Sequence, residues 1–189
     1  MSRPRELDLS AGNSMWRAVP MPGANHPFRM QRLESAEHAF VVHGRFPPWF
    51  ARYVAGGYDV AEEFVVLDGE LCLSGAILHR GDLTHVPPGH LRTEMSTTSG
   101  CTVLAWFDGP AMFAPGDVLD QRAGGEVTTV KLDPASSALL DLPTARWQVL
   151  GAGTVAPGVG DALDVGLTAW WRLEAGDQLA RAAFVRTER

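Results

Sequence analysis

Residues 62–71 read Glu-Glu-Phe-Val-Val-Leu-Asp-Gly-Glu-Leu. Phe64 to Leu67 form a run of aromatic, β-branched and aliphatic residues that is too short for a helix and predicts a strand. Asp68-Gly69 is a tight-turn signal, so we expect a hairpin whose second strand contains Leu71 to Leu73. This stretch therefore places the chain among β proteins.

Two segments downstream have the same character. Residues 81–89 read Gly-Asp-Leu-Thr-His-Val-Pro-Pro-Gly, and Pro87-Pro88-Gly89 lacks two backbone donors, so the chain must leave one sheet and turn there. Cys101 to Phe107 supplies seven strand-forming residues, which Asp108-Gly109-Pro110 ends. Short strands separated by Gly and Pro turns at a spacing of about ten residues predict an all-β sandwich or barrel.

Composition limits the classes of function. The chain has 189 residues with 20 Gly and 13 Pro, which favours a turn-rich β protein with one core. Its formal net charge of −6 makes nucleic acid an unexpected partner. The longest apolar run, Val103 to Phe107, is too short to span a membrane, and no apolar signal-peptide core stands near the N-terminus. We expect a cytoplasmic protein without membrane contact.

We expect a single domain made of three stretches. Residues 1–28 are rich in Pro and predict an extended arm that wraps the barrel or reaches a partner subunit. Residues 29–115 form the core, and residues 116–189 supply strands that complete or cover it. A short helix is predicted over Ala135 to Leu140. The remaining strand-like segments are Phe28 to Leu33, Ala39 to Val42, Trp49 to Val54, Glu126 to Leu132, Trp147 to Leu150, Leu167 to Leu173 and Ala180 to Arg186.

A faint internal repeat links the two halves of the chain at a constant offset of 120 residues. It sets Arg52 to Gly56 and Glu63 to Val65 against Arg172 to Gly176 and Ala183 to Val185. Either a decayed second module or chance similarity between two hairpins explains the repeat, and the sequence leaves both open.

The spacing of five residues carries a family resemblance. Glu62 lies seven positions before Gly69, and Gly81, Pro87 and Gly89 follow the pattern Gly, five residues, Pro, one residue, Gly. Over residues 50–113 the chain resembles the core of a cupin β-barrel, and it is most similar to cupins grouped around the anti-sigma ChrR-like domain and the acetylacetone-type dioxygenases. The resemblance implies an all-β, cupin-type double-stranded β-helix (jelly-roll) barrel, here with extra N- and C-terminal strands.

The same resemblance implies a metal site, most of whose ligands this chain lacks. Such cupins usually bind Fe, Zn, Ni or Mn through three His and one Glu, and Glu62 is the ligand that matches. The paired His positions read Gly56 and Tyr58, and the last His position reads Arg92. A guanidinium has no lone pair to offer a metal. We therefore expect no metal and no other cofactor.

Two shifts of the motif against the sequence give alternative ligand positions. With a longer spacing the paired His positions read Ala55 and Gly57. His90 lies two positions before Arg92, on the same face of a regular strand, so a shifted register would restore one ligand. A metal-dependent dioxygenase or isomerase that uses Glu62 and His90 is thus an alternative function.

We expect Arg92 to face Glu62 where the ion would lie, because a buried carboxylate costs several kcal/mol unless it is paired, and a guanidinium fork suits it. A purely structural salt bridge, or side chains that point to opposite rims, is the alternative. Tyr58 would add a phenol to the pocket, or else is only a turn residue. Glu62, Arg92 and Tyr58 are the candidate catalytic residues. The candidate substrate-binding residues are Arg52, Phe64, Val66, His85, His90 and Trp106.

These residues favour a metal-independent barrel enzyme that binds a small, largely apolar organic molecule. Metal-free barrels of this kind resemble cyclases and isomerases of specialised, polyketide-like metabolism, which hold a flexible substrate in a reactive conformation and stabilise developing charge. Beside the metal-dependent alternative, a non-catalytic ligand-binding or regulatory cupin is a third hypothesis. We expect a homodimer, and the sequence does not identify the substrate.

Overall fold

The computed structural model describes residues 6–10, 16–36, 39–120, 125–136 and 138–189, with the backbone alone at 34–36, 39 and 138. The regular elements of this part of the chain are β-strands. None of its residues belongs to a helix long and apolar enough to cross a membrane. The strands are β1 (Glu6–Asp8), β2 (Arg17–Val19), β3 (Phe28–Ala36), β4 (Ala39–Phe46), β5 (Phe50–Arg52), β6 (Gly56–Tyr58), β7 (Glu62–Leu73), β8 (Ala76–His79), β9 (Asp82–Val86), β10 (Met95–Thr97), β11 (Cys101–Phe107), β12 (Phe113–Pro115), β13 (Thr128–Lys131), β14 (Ala138–Asp141), β15 (Ala145–Leu150), β16 (Gly160–Asp164), β17 (Ala169–Leu173) and β18 (Ala183–Glu188).

The chain divides into two compact units, one formed by Asn13–Thr129 and the other by Met1–Gly12 with Val130–Arg189. A ten-stranded sheet runs in the order β13-β9-β7-β11-β4-β3-β2, with β8 and β10 on the second half of β7 and β5 on β10. A two-stranded sheet joins β6 to β12. The neighbours in these sheets are antiparallel, as a barrel built from hairpins requires.

Strand β7 is continuous through Asp68-Gly69, which corrects the predicted hairpin. The pairing with β11 shifts register here and leaves Leu67 as the extra residue of a β-bulge. Gly69 has a φ of +75°, and a Cβ on it would lie 2.1 Å from the carbonyl oxygen of Gly100, so a side chain does not fit. The Asp-Gly signal therefore marks a bend inside a strand, where glycine meets the same need for positive φ.

The hairpin turn lies further along, at Ser74-Gly75, where both residues have positive φ. It connects β7 to β8 with Leu73 opposite Ala76. The second predicted turn is confirmed, since Gly89 has a φ of +70° and its N–H donates to the carbonyl oxygen of Tyr58 over 2.8 Å. The first turn joins β7 to β8, and the second follows the end of β9.

Side chains on the central strands of the first unit alternate between two buried faces. Val42, Phe64 and Ala105 are register partners on β4, β7 and β11, and they share an inner face. Val65 and Leu104 are also register partners and lie on the opposite face, where both are fully buried. Burial on both faces explains why these strands read as nearly continuous apolar runs in the sequence.

The second unit has a six-stranded antiparallel sheet in the order β1-β17-β16-β18-β15-β14 and its own apolar cluster. The helix predicted over Ala135 to Leu140 is absent, because residues 138–141 form β14 and pair with β15. Cross-strand pairing there outweighs a local helix preference. Of the adjacent tryptophans in β17, Trp170 is buried and Trp171 is half-buried. The 120-residue repeat links β7 and β18, both of them inner strands of their sheets.

Candidate active site

The four positions of the expected metal motif come together in the first unit. Gly56 in β6 pairs with Arg92 through two backbone hydrogen bonds, in which Gly56 N–H donates over 3.0 Å and Arg92 N–H over 2.8 Å. Tyr58 is the last residue of β6. Residues 59–61 follow, and Glu62 is the first residue of β7. The sequence pattern therefore locates a real cluster, in which Glu62 alone has the residue type that the metal motif expects.

Arg92 and Glu62 form an ion pair, with 2.6 Å between Nη1 and Oε2. The side chains are 4% and 12% exposed respectively. The contact is a single close approach and not a parallel fork, because Arg92 Nε and Glu62 Oε2 have no well-aligned hydrogen-bond partner among the described residues. Nε of Arg92 thus remains available to donate to another group.

Tyr58 lies between the ion pair and an aromatic wall. The Arg92 Cζ stands 4.6 Å above the centre of its ring, and the rings of Phe107 and Phe113 meet it edge-on at 5.5 and 6.0 Å. Burial, and next the charge of Glu62, raise the pKa of the Tyr58 hydroxyl, so it stays protonated at neutral pH and can donate a hydrogen bond.

Arg52 belongs to the same cluster, but it is not among the residues that line the adjacent cavity. It is fully buried in β5, its Cζ lies 4.3 Å above the ring of Phe113, and its Nη1 contacts the Met21 Sδ at 3.7 Å. Burial lowers the pKa of Arg52, and the nearby Tyr58 hydroxyl raises the same pKa in part. Its Nε and Nη2 have no acceptor in the described part of the chain.

These groups stand at one side of a cavity of about 330 Å³ inside the first unit. Its wall is mostly aliphatic and aromatic, which is the usual composition of a small-molecule site. The polar side chains that reach it are Tyr58, Glu62, Arg92 and Arg32. The apolar lining residues are Val19, Pro20, Met21, Pro22, Phe28, Met30, Phe40, Val42, Phe46, Phe64, Leu71, Leu73, Met95, Val103, Ala105, Phe107, Ala111 and Phe113, with Gly44 completing the wall.

The residues present do not fit a divalent metal of the cupin type. A side chain at Gly56 has no room, because its Cβ would lie 2.3 Å from the Phe113 Cζ and 2.4 Å from the Ala114 carbonyl oxygen. Arg92 places a cation against Glu62, the one matching ligand. Over residues 6–10, 16–36, 39–120, 125–136 and 138–189 there is no group of three or more His, Cys, Asp or Glu placed to hold a metal.

His90 does not restore a ligand at the cavity. Its Nδ1 lies 3.2 Å from the carbonyl oxygen of Gly125, and its side chain is not part of the cavity wall. The regular strand that would bring it beside Glu62 does not form, because the chain turns from Pro87 to Gly89 and Arg92 then makes an isolated bridge with Gly56.

Among the predicted substrate-binding residues, Phe64 lines the cavity and the other five do not. Trp106 and His85 oppose Glu63 in their registers, and so lie on the face away from Glu62. Val66 is buried on the inner side, behind the cavity wall. His90 lies outside it, and Arg52 stands in a second layer. Alternation along β7 is visible in the sequence, but the register of β11 and β9 against it is not.

Sequence reasoning missed much of the aromatic wall. Phe40, Phe107 and Phe113 line the cavity, and the N-terminal segment Val19 to Pro22 reaches it as well. Phe107 follows Trp106 in the quoted strand, so a correct register would have identified it. Phe113 stands in a three-residue strand beside proline, where no periodic signal exists.

No protein-family model matches the chain, and no curated protein matches it in sequence. Solved structures match it in fold. A candidate dioxygenase from Nostoc punctiforme PCC 73102 has a TM-score of 0.69 at 13% identity, over 98% of this chain and 83% of that one. An acetylacetone dioxygenase from Acinetobacter johnsonii has a TM-score of 0.50 at 12% identity, over 68% and 89% respectively. At such identities the likeness concerns the fold.

Proposed function

We propose that this chain, a protein of the cupin fold, is a metal-independent enzyme of the isomerase or cyclase type that acts on a small, largely apolar carbonyl compound. The observation that carries the proposal is the ion pair of Arg92 and Glu62 inside an otherwise apolar cavity. Of the four expected cupin ligand positions, Glu62 keeps its carboxylate, and the three His positions are occupied by Gly56, the phenol Tyr58 and the cation Arg92. Such a set can polarise a carbonyl and move a proton.

Each of the three groups has a distinct role in the proposed reaction. Arg92 and the Tyr58 hydroxyl donate to a substrate carbonyl oxygen, where negative charge develops. The Glu62 carboxylate takes the proton from the adjacent carbon, which leaves an enolate held by the two donors. When a β,γ double bond makes the enolate a conjugated dienolate, Glu62 returns the proton to the γ-carbon, which gives an isomer with a shifted double bond. Alternatively, Glu62 protonates the alkoxide formed when the enolate carbon attacks a second carbonyl in the same molecule.

The cavity supports this chemistry in two further ways. Its aromatic and aliphatic wall excludes water, which strengthens the hydrogen bonds to the developing oxyanion. Its size of about 330 Å³ suits a compact molecule and would hold a flexible chain in a folded conformation, as a ring closure requires.

Proton abstraction provides a test that does not need the natural substrate. With protein dialysed against a chelator, 4-phenylbutan-2-one in D₂O should exchange its α-protons, followed by ¹H NMR, faster than in buffer. Glu62→Gln should reduce the enzyme-dependent rate by about 10²-fold or more, and Tyr58→Phe by about tenfold or more. Glu70→Gln, on the same strand but outside the cavity wall, is the matched control and should exchange like the unmodified protein.

Equal exchange rates for Glu62→Gln and the unmodified protein would overturn the role of Glu62 as base. Binding of the ketone without any exchange would favour the non-catalytic ligand-binding barrel. We further propose a homodimer, which sedimentation equilibrium would test directly.

A further inference from the structure

The site cluster formed by Arg52, Tyr58, Glu62 and Arg92 holds an excess of positive charge. Arg52 and Arg92 are cations, Glu62 is the one carboxylate, and Tyr58 is neutral because burial raises its pKa. The groups that act electrostatically on Arg52 are Tyr58, Arg92 and Glu62, and the last is already in contact with Arg92. One positive charge in the cluster therefore has no carboxylate of its own.

That charge is deeply buried. Arg52 is 0% exposed and Arg92 4% exposed. Nε and Nη2 of Arg52 and Nε of Arg92 have no acceptor among the described residues, and the groups that Arg52 does contact are the neutral Tyr58 hydroxyl and the Met21 sulfur, a weak acceptor. An uncompensated buried cation strongly destabilises a fold. Its retention beside a cavity is what an anion-binding site requires, because the ligand then supplies the missing charge.

The rest of the cavity limits what the anion can be attached to. Its wall contains aromatic rings and aliphatic side chains, and its polar groups other than Arg32 stand together at the cluster. Arg32 is exposed, with its Cζ 4.6 Å above the ring of Phe40. A ligand that fits both parts has one anionic head and an apolar body.

We propose that the cavity takes a small organic monoacid, with its carboxylate against Arg92 and its apolar body against the aromatic wall, while the Tyr58 hydroxyl donates to the reacting carbonyl oxygen. Arg52 acts from the second layer and supplies charge without contact. The inference rests on the proposed function, since it assigns the substrate class of the same site. For the carbonyl chemistry proposed above it means that the substrate carries a carboxylate in addition to its reacting carbonyl.

Three probes of equal length separate charge from shape. Octanoate, octanamide and octylammonium share one apolar body and differ in the head group. In isothermal titration calorimetry at 0.15 M NaCl, octanoate should bind at least tenfold more tightly than octanamide, and octylammonium should show no binding. Because the cations are buried, the preference should persist at 0.5 M NaCl, where exposed charges are largely screened.

Two variants and a control locate the effect. Arg92→Met and Arg52→Met should each reduce the preference for octanoate over octanamide by about tenfold, while octanamide binding is retained and shows that the cavity is intact. Arg29→Met removes an exposed cation from the same unit and should leave the preference unchanged. If either arginine variant fails to fold, the comparison of the three probes on the unmodified protein decides the question.

Equal affinity for octanoate and octanamide would overturn the assignment of an acidic substrate and leave the proposed enzyme function standing. Absence of binding for all three probes would overturn the assignment of this cavity to any apolar monoacid of that size. Loss of ketone exchange in the Glu62→Gln variant, measured separately, reports on the enzyme function alone.

Discussion

Nη1 of Arg92 lies 2.6 Å from Oε2 of Glu62, at the two positions where the cupin pattern would place a His and a Glu around one metal ion. A side chain thus places a positive charge beside Glu62, where the pattern would place the ion. A guanidinium differs from a metal in what it can do, because it donates hydrogen bonds and takes no ligand. The substitution keeps the site polar and changes its chemistry.

Coupling between Glu62 and Arg92 can be measured as a free energy. Glu62→Gln leaves Arg92 and Arg52 buried without a carboxylate, and we expect the free energy of unfolding to fall by roughly 3–5 kcal/mol. Adding Arg92→Met should recover part of that loss, since it removes one of the two stranded cations. Urea denaturation of the four proteins of the double-mutant cycle gives the coupling energy. A coupling energy near zero would mean that the two side chains do not interact in solution.

The metal content of the purified protein tests whether the residues at the cupin ligand positions fail to bind a transition metal. Protein purified without chelator and then dialysed should contain well under one equivalent of any transition metal by plasma mass spectrometry. The reason is that a side chain at Gly56 has no room and Arg92 occupies the neighbourhood of Glu62. Stoichiometric Fe, Zn, Ni or Mn that survives dialysis would contradict this prediction.

His43 should make the fold sensitive to acid. Burial, and next the charge of Arg45, lower its pKa from 6.5 to about 4. The folded protein therefore binds fewer protons than the unfolded chain between those values, so stability is complete above pH 6.5 and falls as pH drops towards 4. The expected loss from this residue is about 3 kcal/mol.

Urea denaturation between pH 7 and 4 measures this dependence. His43→Leu should flatten the stability profile in that window, because it removes a buried ring whose two nitrogens have no hydrogen-bond partner in the described residues. His79→Gln is the control, since the side chain of His79 is 63% exposed. An unchanged pH profile for His43→Leu would refute the assignment. The lowered pKa of His85, also caused mainly by burial, acts in the same direction.

Truncation after Pro157 tests the second unit. It removes β16, β17 and β18, so that β1 loses its partner β17 and β15 loses its partner β18. Open strand edges with apolar faces then remain, and we expect insoluble or unfolded protein. A soluble fragment with a cooperative thermal transition would show that the first unit is stable without these strands.

The fold class could be predicted from sequence because it depends on local features. Strand β11 and the turn at Gly89 were predicted where they occur, and β7 was predicted in part. Asp68-Gly69 predicts a hairpin turn but forms part of a β-bulge, because both structures require a positive φ, which glycine adopts readily. The helix expected near Ala135 failed because pairing with β15 decides the conformation there.

The sequence by itself determined which polar residues come together at the cavity, because the spacing of Glu62, Tyr58 and Arg92 follows the cupin pattern. Tertiary structure alone decided what surrounds them. The pairing of β11 and β9 with β7 places Trp106 and His85 on the face away from Glu62, and Phe107 in the cavity. Register is a long-range property, and a shift of one residue exchanges the two faces of a strand, so no local pattern could have assigned them.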